Sequence, residues 1–344
     1  MNQILTDVLG LLKRKKVVAD AKDTDLIPLG GKKSGSLGLS GPNPSEDVTL
    51  ITAKDFVTNY VAPKVGPTTN NTVYGLDAFQ SNTTGQFNVA IGNSALRENT
   101  DGTASVAIGT DAARLQTDNA PNIAIGHLSL RNNFAGNYNT AIGYTAGYNI
   151  TSGLSNTAIG TNAMQNGYFS EGNTAIGDNA MVGVFNSEGT YNIGIGDYVL
   201  YSLSSGNNNV AIGSEAAGSM TTANDNVAIG AYAMNQNTSG SGNVAIGPAC
   251  CNAASMGQNS VHIGGENSQT ATGSNNTSIG SFGNTSIYSN CITIGTRAAA
   301  QSDNDVAIGS SSYPVGTITA YTGASAETWE ITINGVTKKI MLAP

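Results

Sequence analysis

From residue 71 onward the chain repeats one short pattern of polar and apolar positions: Asn, a β-branched residue, a small residue, Ile, Gly. NVAIGNSAL at 88–96 returns as NTAIGYTA from Asn139, NTAIGTNA from Asn156, NTAIGDNA from Asn173, NVAIGSEA from Asn209, NVAIGAYA from Asn226 and NVAIGPAC from Asn243. Weaker copies begin at Ser105, Asn122, Asn192, Ser260, Asn276, Cys291 and Asp305. The Ile of each unit falls at 91, 108, 125, 142, 159, 176, 195, 212, 229, 246, 263, 279, 294 and 308. The spacing is mostly 17 residues, 19 once, then 16, 15 and 14, and NTVYGLDAF with Tyr74 supplies an atypical fifteenth copy one period earlier. A sustained period of this length, with each unit read as a short strand, predicts an all-β fold, a β-solenoid of about fifteen mostly 17-residue turns in which each unit stacks on the next.

Each unit reads as a short strand closed by Gly. The position two before the Ile is β-branched in all fourteen units, from Val89, Val106 and Ile123 to Val306. Strand side chains alternate, so this residue and the Ile share a face. That pair is expected to line the interior of the coil. The intervening position is Ala in ten units: Ala90, Ala107, Ala124, Ala141, Ala158, Ala175, Ala211, Ala228, Ala245 and Ala307; Gly194, His262, Ser278 and Thr293 fill the other four. A small residue repeated on what would be the outer face suggests that another backbone approaches closely. These ten Ala are therefore the predicted subunit interface, with a second layer of the same chain as the alternative. Gly after every Ile fits a turn at positive φ. Asn opening most units predicts side-chain ladders along the coil axis. A second Gly six residues before the Ile (Gly85, Gly102, Gly136 and six later copies) marks another turn.

The N-x-A-I-G-x-x-A unit resembles the head repeat of trimeric autotransporter adhesins, and similar arrays occur in phage fibre proteins. The likeness covers about residues 71–312. It implies a left-handed parallel β-roll assembled as a homotrimer. This chain departs from the adhesin repeat in its longer, 17-residue turn, which predicts longer outer loops.

Outside the repeats, Ile4, Leu5, Val8, Leu9 and Leu12 follow helical spacing ahead of the basic cluster Lys13 to Lys16, which suits the negative end of a helix dipole. Residues 28–47 are rich in Gly, Ser and Pro and read as a linker. Thr52 to Asp55 resembles a capping box before Phe56, Val57, Tyr60 and Val61, predicting a short helix over 48–62 that ends at Pro63. Residues 328–341, with Asn334-Gly335 at the centre, predict a β-hairpin with a type I′ turn. It is placed to cap the last coil, with a receptor tip or second attachment point as alternatives. The organisation is thus an attachment region at 1–65, a shaft at 66–312 and a C-terminal hairpin at 313–344.

Composition narrows the function. The 344 residues include 43 Gly, only 11% are charged, and the net charge is −8 with a pI near 4.7. An acidic chain lacks the basic footprint of a nucleic-acid binder. No apolar run is long enough to span a bilayer. The N-terminal order, apolar first and basic after with Asp7 between, predicts no signal peptide, and the C-terminus lacks the amphipathic strands of an adhesin anchor. The three Cys (Cys250, Cys251, Cys291) fit neither a disulfide framework nor a metal motif and read as small fillers. With only His127 and His262 no His-based triad suggests itself, and acidic residues do not recur in phase as a carboxylate pair would. No catalytic, metal or cofactor residues are expected.

The expected function is a non-enzymatic structural fibre of a bacteriophage virion, on tail or head, taking part in host attachment. Its partners would be its own copies, other virion proteins through Ile4, Leu5, Val8, Leu9, Leu12, Phe56 and Tyr60, and a host surface glycan or protein. Aromatics in loop positions (Tyr144, Tyr148, Tyr168, Phe169, Phe185, Tyr198, Tyr201, Tyr232) could stack on sugars, although packing over the coil edges is the favoured expectation. A bacterial surface adhesin is the alternative. An ice-binding solenoid is a third class, set aside because Thr140, Thr157 and Thr174 share the phase assigned to the interior.

Overall fold

The computed structural model describes residues 70–310 except 118–120, 184–187, 253–255 and 268–271, together with residue 312 and four outlying strands. Those four form two antiparallel pairs: β1 (Leu26–Pro28) with β2 (Leu50–Thr52), and β18 (Thr328–Ile333) with β19 (Val336–Met341). The C-terminal hairpin is therefore present, in the register expected for a two-residue connection, with Ile333 opposite Val336. The start of the expected 48–62 helix is instead strand β2, and Pro28 belongs to β1 rather than to a linker. Leu50, Ile51 and Thr52 include two β-branched residues, which suit an extended backbone better than a first helical turn. The rest of that helix and the helix at the N-terminus lie outside the described residues.

The shaft is a stack of fifteen three-residue strands. They are β3 (Thr72–Tyr74), β4 (Val89–Ile91), β5 (Val106–Ile108), β6 (Ile123–Ile125), β7 (Thr140–Ile142), β8 (Thr157–Ile159), β9 (Thr174–Ile176) and β10 (Ile193–Ile195). The series continues with β11 (Val210–Ile212), β12 (Val227–Ile229), β13 (Val244–Ile246), β14 (Val261–Ile263), β15 (Thr277–Ile279), β16 (Ile292–Ile294) and β17 (Val306–Ile308). All fifteen form one parallel sheet in chain order, and each Ile pairs with the Ile of the next coil. Fourteen steps of about 4.8 Å make a rod about 67 Å long. Among the described residues there is no helix.

The glycine after each Ile is required twice over. Gly160 has φ +132, and a Cβ there would run into the Gly177 carbonyl of the next coil. Gly213 repeats this, with φ +130 and a Cβ 2.7 Å from the Gly230 carbonyl. The second glycine column differs: Gly85 and Gly136 are not at positive φ but lie where the next coil's backbone and neighbouring Asn side chains leave no room. Left-handed conformations elsewhere in the coil are taken by ordinary residues such as Ser94, Leu96, Asn162 and Met164.

The Asn ladder is buried and continuous over most of the shaft. The backbone N–H of Asn156 donates to Asn139 Oδ1 (3.0 Å), and its Nδ2 donates to the carbonyl of Ser170 (2.8 Å). The Asn173 N–H in turn donates to Asn156 Oδ1 (3.0 Å). Each Asn thus ties three successive coils, satisfying groups that would otherwise be costly to bury.

Candidate assembly face

The interior of the coil is the reverse of the sequence expectation. The middle residue of each strand points inward: Ala90, Ala107, Ala124, Ala141, Ala158, Ala175 and Ala245 are fully buried within one chain, and Ala211 and Ala228 are 1% exposed. Ala307, in the last coil, is half-buried. The nine buried Ala consequently cannot form a subunit interface; they pack against another layer of their own chain. That layer is a second small column four residues after the Ile (Ala95, Ala112, Ala146, Ala163, Ala180, Ala216), flanked by larger side chains such as Leu96, Leu130, Ile150, Met164 and Leu200. A 17-residue coil is narrow, and these Leu, Ile and Met side chains reach across it. Only a methyl-sized group then fits at the strand, because interiors pack without spare volume.

The exceptions in the Ala column obey the same geometry. At Gly194 the space is taken by Met181 and Val199, whose carbons would lie 3.0 and 3.2 Å from an added Cβ. His262, Ser278 and Thr293 are all fully buried, so the core turns polar in the last coils. Thr293 Oγ1 donates to Ser278 Oγ (2.7 Å), which donates to Asn267 Oδ1 (2.7 Å). Burial holds the His262 ring well below the usual imidazole value, at about 4; Asn267 opposes this slightly, and neither ring nitrogen completes a hydrogen bond. Cys250, Cys251 and Cys291 are buried free thiols filling the interior, and burial pushes the Cys251 thiol well up.

What the strands present outward is the β-branched pair. Val89, Val106, Ile123, Thr140 and their successors stack in one column, and the Ile residues in another. Ile108 is 36% exposed, Ile212 37% and Ile294 42%. Over β4–β17 these two columns contain only Val, Ile and Thr. Two strand residues span about 7 Å, so with side-chain width the strip covers on the order of 700 Å² along the rod. Monomers rarely leave a contiguous apolar patch of more than a few hundred Å² open. The strip can neither donate protons nor hold ions; what it can do is bury itself against a matching apolar surface.

Turn residues border the strip. Phe87, Tyr138 and Tyr191 stand exposed on its N-terminal side and Tyr144 on the other, where it stacks on His127 at 5.4 Å. The Tyr191 hydroxyl donates to Glu171 Oε1 (3.2 Å), and that hydrogen bond and the carboxylate charge raise the Tyr191 pKa. Of the loop aromatics singled out by sequence, Tyr144, Phe169, Tyr198, Tyr201 and Tyr232 are exposed rather than packed over coil edges. Tyr148 and Tyr168 are half-buried, and Phe185 lies outside the described residues. So do the expected attachment residues Ile4, Leu5, Val8, Leu9, Leu12, Phe56 and Tyr60.

The inverted phase also turns Thr140, Thr157 and Thr174 outward, which removes the reason given for setting aside ice binding. They remain three rungs of a single column beside Ile, not a flat Thr array. Among the described residues no group of three or more His, Cys, Asp or Glu is gathered closely enough to hold a metal, and no helix is long and apolar enough to cross a membrane. No protein-family model matches the chain, and no curated protein matches it.

Proposed function

We propose that the chain is the shaft of a non-enzymatic structural fibre on a bacteriophage virion, assembled as a homotrimer through its outward Val–Ile strip. The observation that carries this reading is the strip itself: an uncharged β-branched surface running the whole length of a rod, in register at every coil. About 700 Å² per copy approaches the 800 Å² that one partner contributes to a standard stable interface. Three copies arranged about a common axis would hide all three strips and leave the loops facing water. The resemblance to trimeric adhesin heads and phage fibre arrays supports the same stoichiometry and setting. In this role the N-terminal region joins other virion proteins and the loops meet the host surface.

Light scattering after size exclusion is expected to give three times the 35.0 kDa of one chain. The double variant Ile142→Lys/Ile212→Lys should fall to a single chain with its β-structure intact by circular dichroism. A monomeric wild type, or an unchanged mass in the variant, refutes assembly through this face. Immunogold microscopy against residues 313–344 addresses the setting. Label on phage particles supports the virion fibre and tells head from tail; label on uninfected bacteria would favour a surface adhesin instead.

A further inference from the structure

In a solenoid, columns of equivalent residues run along the rod, and a break in a column is informative. Two columns follow the strands, at the third and sixth residue after each Ile. In the coils of β10, β11 and β12 the first column reads Tyr198, Glu215, Tyr232 and the second Tyr201, Gly218, Asn235. From Gln80 through Asn252 the second column otherwise always carries a side chain, so Gly218 opens a notch one coil wide. Gly218 is not at positive φ, and a Cβ there would meet Asn235 Nδ2 at 2.9 Å. The glycine therefore serves to clear space, not to allow a turn.

Into that space Asn235 folds across, donating from Nδ2 to the Glu215 carbonyl (2.9 Å) and towards Glu215 Oε2 (3.4 Å). The Glu215 carboxylate, an acceptor and a negative charge beside the Tyr232 phenol, raises the Tyr232 pKa. Glu215 thus sits between the Asn235 amide, which bonds it, and the Tyr232 phenol. Around it stand three tyrosines, 43%, 41% and 45% exposed for Tyr198, Tyr201 and Tyr232, with the first two rings 5.4 Å apart and tilted by 39°.

We infer that the surface around Glu215, between these three tyrosines, binds a neutral glycan. The electron-rich face of a tyrosine ring attracts the positively polarised C–H groups on one face of a pyranose. A fixed carboxylate accepts from sugar hydroxyls, and the Tyr and Asn groups complete the polar contacts. Tyr198 and Tyr232 are two coils apart, about 9.6 Å, so a sugar and its next-but-one neighbour in one chain can each meet a ring. The charge sets the class: Glu215, Asp197 and Asp225 belong to these coils, and Arg is confined to Arg97, Arg114, Arg131 and Arg297 within 71–312, where Lys is absent. Acidic sugars are disfavoured. The inference deepens the proposed role only in taking a host envelope as the glycan's source; the binding itself does not depend on it.

The test applies the full-length protein to an array of purified bacterial surface polysaccharides, neutral and acidic, with plant and animal glycans as a second source. Wild type is compared with Tyr198→Ala/Tyr232→Ala and with Gly218→Gln, the residue found at Gln80 and Gln165, which displaces Asn235 from its place on Glu215. Binding to neutral bacterial glycans is expected, weakened about tenfold or more in both variants, whose mass and circular dichroism stay unchanged. No binding to any neutral glycan, binding confined to acidic glycans, or equal binding by both variants overturns the inference. Neutral glycans bound only from the second source would keep the site and sink the virion setting, whereas an assembly or labelling failure leaves this result standing.

Discussion

His262 makes the shaft acid-sensitive at one identifiable coil. Its imidazole is fully buried in a column otherwise built for Ala, and burial lowers its pKa from 6.5 to about 4. The unfolded ring takes up a proton as pH falls through 6.5, while the folded ring stays neutral until about 4. Over that window the unfolded state binds more protons, so stability is full above pH 6.5 and is lost as the pH falls. The shift of two to three units corresponds to about 3 kcal/mol in total, of which about 2 kcal/mol is already gone at pH 5. Cys251 contributes nothing here, because its raised pKa confines it to alkaline pH. All other ionisable groups are common to the wild type and a His262 variant, so the informative quantity is a difference between two proteins. Guanidinium unfolding of wild type and His262→Ala at pH 8 and pH 5 should show the wild type losing about 2 kcal/mol more than the variant. The variant starts lower at pH 8, since removing the ring leaves a cavity, and its shallower pH slope is the expected signature. Hydrogen exchange should place the acid-induced loosening at Val261–Ile263 and the adjoining coils, because repeats open locally. Equal pH slopes in the two proteins would refute the reasoning.

Three further outcomes test the packing. Ala158→Leu should cost about 1–3 kcal/mol by overpacking the coil interior; a loss seen only in oligomeric mass, with the fold's melting unchanged, would return Ala158 to an interface. Asn156→Ala, which strips the Asn173 N–H of its acceptor, should cost about 2–4 kcal/mol in denaturant unfolding. Asn156→Ser should recover part of this, because Ser260 Oγ already accepts from the Asn276 N–H at the equivalent place (3.0 Å). Gly160→Ala should lose about 3 kcal/mol or fail to fold, whereas Gly218→Ala, which meets only the flexible end of Asn235, should melt within a degree or two of wild type.

Much of the architecture was legible from residues alone. The Ile spacing located every strand of the shaft, the shift to 19 residues before Ile195 included. The glycine after each Ile marked its turn, the Asn column its hydrogen-bond ladder, and Asn334-Gly335 the hairpin register. Each of these is a local requirement: a φ that only Gly accepts easily, an amide that must be satisfied, a turn that must match strand twist. The pairing of Leu26–Pro28 with Leu50–Thr52 was not visible, since two short apolar stretches across a Gly-rich segment carry no register signal.

The candidate face shows where sequence reading stops. Alternation established that Val and Ile share one side of each strand and Ala the other, but period two says nothing about which side is inside. The cross-section of the coil decided that. Leu96, Leu130, Met164 and Leu200 come from beyond the turn to fill the centre, leaving a methyl's width at Ala158 and its equivalents and sending the Ile that ends each strand outward. A trace of this was present in the sequence, in the second Ala column at Ala95, Ala112 and Ala146 followed by large apolar residues. Had Val and Ile filled the core, those Leu and Met side chains would have had nowhere to pack. The repeat itself determined the strands, the turns and their order; the volume enclosed by one turn of backbone determined which residues became core and which became surface.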